Sequence, residues 1–255
     1  MRWFASQSYW WESHYVQAVD DIVTFLGGDG LSLEGQRVLD LGCGDGILAA
    51  GLAMRTPAQS VIGLDLQAVD TEFLATKAAE NGISLDASRL TFGVSERADL
   101  GVPESSVDVV ITWSVFEHVS DVRELLTEIR RVLVSEGLLF IQIWPLFHSA
   151  HGSHLWPWFD KEPFPHLRLD AFELETELLD RTGNRDLTDA MLDLYASCNR
   201  LTLDELGAAL NDTGFYISKV ETEVSAIHIP PEAQKVPLSQ LTTSGVKLTA
   251  VNFKY

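Results

Sequence analysis

Short apolar runs alternate along this chain with longer stretches whose apolar residues recur at helical spacing. The runs place strands near 37–41, 60–65, 89–93, 107–113, 137–143, 215–222 and 246–253; the helical pattern falls near 46–55, 68–81, 121–134 and 202–213. Val107–Thr112 and Leu138–Ile143 are apolar at most positions, as strands buried on both faces of a parallel sheet are. Ser120-Asp121 offers a helix start, and Leu125, Ile129, Val132 and Leu133 give that helix an apolar face. Thr202-Leu203-Asp204-Glu205 opens another helix, which Gly214 closes. Residues 1–34 are dense in aromatic and apolar groups (Trp3, Phe4, Trp10, Trp11, Tyr15, Val19 and 22–26) and read as a helical lead-in that packs on the core or covers a site. Alternating strands and helices predict an α/β fold in one domain, with a lead-in at 1–34, a core at 35–145, an insert at 146–200 and a completing segment at 201–255. The insert opens with Pro145–Phe159, rich in His and Trp, and continues into an acidic helical stretch, Asp170–Leu179. It follows the carboxyl end of a strand, where open α/β sheets bind ligands, so it is expected to wall an acceptor site.

The sharpest local signal is Val38-Leu39-Asp40-Leu41-Gly42-Cys43-Gly44-Asp45-Gly46. A strand ending in an acid runs into a glycine loop and then a helix, Ile47–Met54. Glycines let a backbone turn sharply and a ligand come close, and the helix start adds free N–H groups. The third glycine comes one residue too early for the dinucleotide fingerprint, and Asp40 would oppose a pyrophosphate. A cationic ligand such as S-adenosylmethionine removes that conflict. About twenty residues on, Val61–Leu66 reads as a second strand whose terminal acid, Asp65, can accept both ribose hydroxyls of either cofactor.

Val38–Gly46, Gly63-Leu64-Asp65-Leu66, Ser106–Ile111, Ser114-Val115-Phe116-Glu117-His118-Val119 and Leu133–Ile143 stand in this order. With them the chain resembles the class I S-adenosylmethionine-dependent methyltransferases of the broad small-molecule type, well over roughly 35–145 and more weakly at Leu201–Glu223 and Val246–Lys254. The resemblance implies a Rossmann-like, seven-stranded, mostly parallel sheet flanked by helices, its last strand antiparallel and inserted beside its predecessor. It also implies roles. Asp40 anchors the cofactor ammonium, directly or through the loop; Gly42, Cys43, Gly44 and Gly46 offer backbone contact. Asp65 takes the ribose and Leu66 packs near adenine. Glu96, with Asp99 as alternative, meets the adenine amino group. Trp113 and Ser114 lie beside the methionine moiety. The departure from the usual proline-glycine-glycine turn at Leu133–Leu138, where only Gly137 remains, lies at the sheet end away from the cofactor.

Charge narrows the partners. With 18 Lys and Arg against 37 Asp and Glu, the formal net charge is −19, which repels nucleic-acid phosphates and anionic membrane surfaces. A small-molecule acceptor fits better. Two cysteines, Cys43 and Cys198, give no disulfide framework, and a reduced, cytoplasmic setting is expected. The first residues lack a signal-peptide core, and no run approaches membrane-spanning length.

Methyl transfer from a sulfonium needs alignment and water exclusion, and no metal is obligatory. His118, near the pocket mouth, can serve as a general base or as packing. His148, His151 and His154 recur every three residues, but no acid lies among them and Gly152 argues for a turn, so no metal site is expected there. A base role falls best on His151 or His148. The expectation is methyl transfer from S-adenosylmethionine to a small molecule or glycan precursor at oxygen. The alternatives are an N- or C-methyltransferase, a non-catalytic binding or assembly protein on the same fold, and an NAD oxidoreductase.

Overall fold

A computed structural model describes residues 8–253; Trp3, Phe4 and Lys254 of the readings above lie outside that range. Seven strands form one sheet in the order β3-β2-β1-β4-β5-β7-β6. They are β1 (Arg37–Leu41), β2 (Ser60–Asp65), β3 (Leu90–Val94), β4 (Val107–Trp113), β5 (Leu133–Ile143), β6 (Phe215–Val224) and β7 (Thr243–Asn252). β1 through β5 pair in parallel, and β7 is antiparallel to both of its neighbours, as the resemblance implies.

Alternate residues of the central strands feed two cores. Val38, Val109, Ile111, Leu138 and Phe140 face one side, where they meet Ile22, Phe25 and the Ala-rich helix α2 (Ile47–Arg55). Leu39, Val110, Leu139 and Ile141 face the other, against Leu126 and Ile129 of α4 (Val122–Val132) and Leu206 and Leu210 of α9 (Leu203–Asp212). Burial on both sides explains why these strands read as continuous apolar runs. The helix starts form as their sequences require. Asp121 accepts the Glu124 N–H at 2.9 Å, and Thr202 and Glu205 complete a reciprocal capping box. Helix α3 (Thr71–Glu80) covers the β2–β3 connection.

The lead-in is helix α1, built of Ser8–Trp11, a π-helical segment Glu12–Ala18 and Val19–Gly27. It crosses α2 at Gly51, where a Cβ would lie 2.8 Å from the Tyr15 carbonyl oxygen.

β3, β6 and β7 shift by one to three residues at an end, and β5 departs most from its expected bounds. β5 starts at Leu133, not 137, because Leu133 already pairs with Val107 before the register jumps to Val109↔Leu138. The extra residues form a bulge in which Glu136 takes φ 64°. The insert holds four helices: α5 (Trp156–Phe159), α6 (Pro165–Arg168), α7 (Ala171–Thr182) and α8 (Arg185–Ser197). Leu155, Phe159, Leu174, Leu178 and Met191 give it a small core of its own, against which Trp10 of α1 packs. Helix α10 (Leu238–Thr242) precedes β7. Among the described residues no helix is long and apolar enough to cross a membrane.

Candidate functional site

The glycine loop lies at the carboxyl ends of β1, β2 and β4. Gly42, Gly44 and Gly46 take φ 77°, 55° and 81°, all in the left-handed region. At Gly42 the need is doubled: an added Cβ would lie 2.4 Å from Val115 Cγ2, so the loop is pressed against the turn after β4. The N–H groups of Gly42 and Cys43 both donate to the Leu64 carbonyl (2.7 and 3.0 Å), tying the loop to β2.

Three carboxylates surround this loop. Asp65 Oδ2 accepts the Gly44 N–H at 2.9 Å, and its Oδ1 accepts the Gln67 N–H at 3.1 Å. Each oxygen keeps a further lone pair, and the side chain is only partly buried. Asp45 Oδ1 caps α2 through the Ile47 N–H at 3.1 Å, while its Oδ2 accepts Trp10 Nε1–H of α1 at 2.7 Å. Asp40 is 1% exposed, and its Oδ2 has no hydrogen-bond partner. Burial first, and then Asp45 and Asp65, push the Asp40 carboxyl up to about 8, against a smaller opposing effect of the Ala49 N–H. An enclosed Asp40 makes direct contact with a ligand ammonium difficult and leaves the contact through the loop. The same carboxylates, with burial as the larger cause, push the Cys43 thiol up, which disfavours the thiolate at this buried position.

These groups fit S-adenosylmethionine. The orphaned Asp40 oxygen, the acid-rich loop and the half-open Asp65 favour a cation with a ribose and disfavour a pyrophosphate. Beside Asp65, Leu66 is 55% exposed, and Val94, the register partner of Asp65, is 60% exposed. Two solvated apolar side chains thus lie beside Asp65 at the carboxyl ends of β2 and β3. Glu96 follows β3 and is exposed, with its N–H donating to the Asp99 carbonyl at 2.9 Å. Asp99 spends its Oδ1 on the Gly101 N–H at 2.8 Å, so Glu96 keeps the freer carboxylate.

Trp113 ends β4, and Ser114 follows with φ 54°. The Ser114 Oγ–H lies 3.1 Å from Gln142 Oε1 and 3.2 Å from the Trp144 carbonyl, which joins this turn to the start of the insert. There the rings of Trp144 and His151 lie 6.4 Å apart, and Trp144 meets Trp156 edge-on at 6.5 Å.

The three insert histidines do not converge. His148 sits against Phe147 at 5.3 Å and lines a cleft with Leu146, Leu201, Leu203 and Gln240, none of which belongs to the glycine loop or the β4 turn. Partial burial lowers the His148 and His151 pKa values, and Asp160 offsets the effect at His151. His154 turns away to His118, with ring centres 5.0 Å apart, and to Glu117, with Nε2 3.8 Å from Oε1. Burial, reinforced by His154, drops His118 to about 4, which makes it a poor base near neutral pH. Burial works against charge on His154, but the Cys198 sulfur and Glu117 outweigh it and hold its pKa up at about 10.

Sequence reasoning missed Asp45, Trp10 and Val115. Asp45 was legible as a capping acid two residues before a helix. The other two act only through contacts across the fold.

A family model described as "Methyltransferase domain" matches residues 39–141. The chain is 35% identical over 109 residues to a ubiquinone biosynthesis O-methyltransferase of Rhizobium etli, a match covering 43% of this chain and 41% of that protein. It therefore spans less than half the length of that relative. An S-adenosylmethionine-dependent methyltransferase from Mesorhizobium loti superposes with TM-score 0.55 at 20% identity, over 89% of this chain and 96% of the other. A geranyl diphosphate methyltransferase solved with S-adenosylmethionine gives TM-score 0.57 at 16% identity, over 93% and 85%.

Proposed function

We propose that the chain, whose residues 39–141 match a methyltransferase-domain family model, is a class I enzyme that moves a methyl group from S-adenosylmethionine to a hydroxyl of a small molecule or glycan precursor. The observation that carries the reading is the acid-rich glycine loop, with one buried carboxylate oxygen lacking any hydrogen-bond partner and a half-buried Asp65 that keeps spare lone pairs. When bound, the cofactor supplies a methyl already activated on a sulfonium.

The chain's own residues bind, orient and shield. Gly42 and Gly44 let the backbone approach the ligand, and Asp65 accepts the ribose hydroxyls while its Oδ2 holds Gly44 in place. Leu66 and Val94 support the base, and Glu96 receives its amino group. Asp40, enclosed beneath the loop, acts on the ligand only through it. α1 covers the loop through Trp10, and the insert at 146–200 walls the acceptor side. His151, beside Trp144, takes the proton from the acceptor hydroxyl as the methyl transfers. The choice of oxygen is supported by the O-methyltransferase name of the Rhizobium relative. The net charge of −19 favours a neutral acceptor over nucleic acid or an anionic membrane surface.

Calorimetry with S-adenosylhomocysteine and with NAD, followed by mass-detected methyl transfer to a panel of hydroxyl, amine and carbon acceptors, tests the reading. Tight binding of the first ligand alone and an O-methylated product are expected. NAD binding, or no binding of adenosylhomocysteine, overturns it. Binding with a product methylated at nitrogen or carbon corrects the acceptor atom.

A further inference from the structure

Glu117 is a buried carboxylate with nothing bonded to it. Its residue is 4% exposed, and neither oxygen has a hydrogen-bond partner. A buried carboxylate without hydrogen bonds is costly for a fold to hold, and its ion-pair partner, His154 Nε2, stands 3.8 Å off. One ligand atom each from Glu117, His118 and His154 lies within 4.8 Å of the others. We propose that these three residues bind one divalent transition-metal ion of the zinc class, which clasps the insert to the turn after β4.

The hydrogen bonds around the two imidazoles orient them for this. The Ser197 hydroxyl donates to the Leu194 carbonyl at 2.6 Å, so toward His118 Nδ1, 2.8 Å away, it acts as acceptor. His118 therefore carries its proton on Nδ1 and leaves Nε2 as the free nitrogen. At His154, Nδ1 faces the Gly152 carbonyl and the Cys198 sulfur, each 3.4 Å away; a carbonyl only accepts, so Nδ1 donates. That leaves His154 Nε2 buried without a partner, facing the Glu117 carboxylate at 3.8 Å. Partners that hold the outer ring nitrogen and turn the inner one toward a shared point are the usual support of metal-ligating histidines. Two imidazoles and one carboxylate suit zinc and its neighbours, whereas magnesium and calcium select oxygen sets. Ligands about 2.1 Å from one ion stand at most about 4.2 Å apart, so the Glu117–His154 spacing already fits and His118 needs a small approach.

The site joins two parts of the chain. Glu117 and His118 lie in the short helix Phe116–His118 after β4, and His154 comes from the insert, on a backbone held at φ 61°. The far end of the insert grips the same turn: Asn199 donates its N–H to the Glu117 carbonyl at 2.8 Å and its Nδ2 to the carbonyls of Phe116 and Val119 at 2.6 and 2.8 Å. An ion here fixes the near end as Asn199 fixes the far one. The site does not depend on methyl transfer.

The test uses the full chain, stripped with a chelator and titrated with Zn2+ and with Co2+ as a spectroscopic probe. One ion per chain, a visible cobalt absorption displaced by zinc, and a rise of about 5 °C in Tm at saturating zinc are expected. His154→Ala and His118→Ala weaken zinc binding at least about 100-fold, and Glu117→Gln does the same where it folds. The exposed His228→Ala does not change it. Sub-stoichiometric binding, or affinity unaffected by His154→Ala, overturns the proposal, and so does a proton on His154 Nε2 that persists in NMR spectra at saturating zinc. Adenosylhomocysteine affinity is measured on the same stripped protein, so failure of the metal site and failure of the methyltransferase reading are separate results.

Discussion

Replacing Asp65 with Ala removes a charged acceptor that, in the proposed complex, bonds two ribose hydroxyls. Hydrogen bonds to charged groups contribute about 1.5–3 kcal/mol each, so the loss is roughly 3–6 kcal/mol, or about 10²–10⁴ in Kd. The structure adds a second cost in the same direction. Asp65 also accepts the Gly44 and Gln67 N–H groups at 2.9 and 3.1 Å, so the variant loses part of the loop's support. Asp65→Asn keeps one carbonyl acceptor and should fall between, at roughly 10–150-fold. Calorimetry with adenosylhomocysteine reads both variants, with circular dichroism as the check on folding. A 2′-deoxyribose analogue separates the two costs: it should bind the native protein more weakly than adenosylhomocysteine and bind Asp65→Ala no differently. An Asp65→Ala affinity within threefold of the native value, in a folded protein, refutes the assignment of the ribose to this carboxylate.

Asp40, raised to about 8, holds a proton that the unfolded chain releases near its ordinary value, so stability should fall as pH rises between about 4 and 8. Asp40→Asn should flatten that slope by about 1.4 kcal/mol per pH unit; urea unfolding at pH 6 and 7.5 measures the difference, and equal slopes would refute it. Gly42→Ala should destabilise by about 2–4 kcal/mol, from the left-handed backbone and the collision with Val115. Val115→Ala in the same chain should recover only the collision part, which chemical denaturation can read. His151→Ala should lower turnover by about 10²–10⁴ with adenosylhomocysteine affinity unchanged; unchanged turnover removes it from the chemistry.

The sheet was legible because its central strands are short apolar runs bounded by polar residues or glycines, and its order came from a resemblance carried by five segments. The start of β5 was not, because a bulge after Leu133 leaves no trace in apolar periodicity. The acidic stretch from Asp170 announced α7, but α5 and α6, four residues each, exist only through packing. At the site, glycines and strand-end acids are local and could be read. No group was expected from the spacing of His148, His151 and His154, and the fold sets the three apart. The cluster that does form joins residues 36 or more positions apart, from Glu117 and His118 to His154, and only the fold brings them together.

Trp10 belongs to two assemblies at once. Its indole N–H is bonded to Asp45 on the glycine loop, while its ring packs against the small core of the insert. Moving it would release both together, so under the proposed function the donor side and the acceptor side share one latch. An enzyme so arranged should trade spent donor and methylated product in a fixed sequence, and loosening that single side chain should blur the sequence before it harms the chemistry.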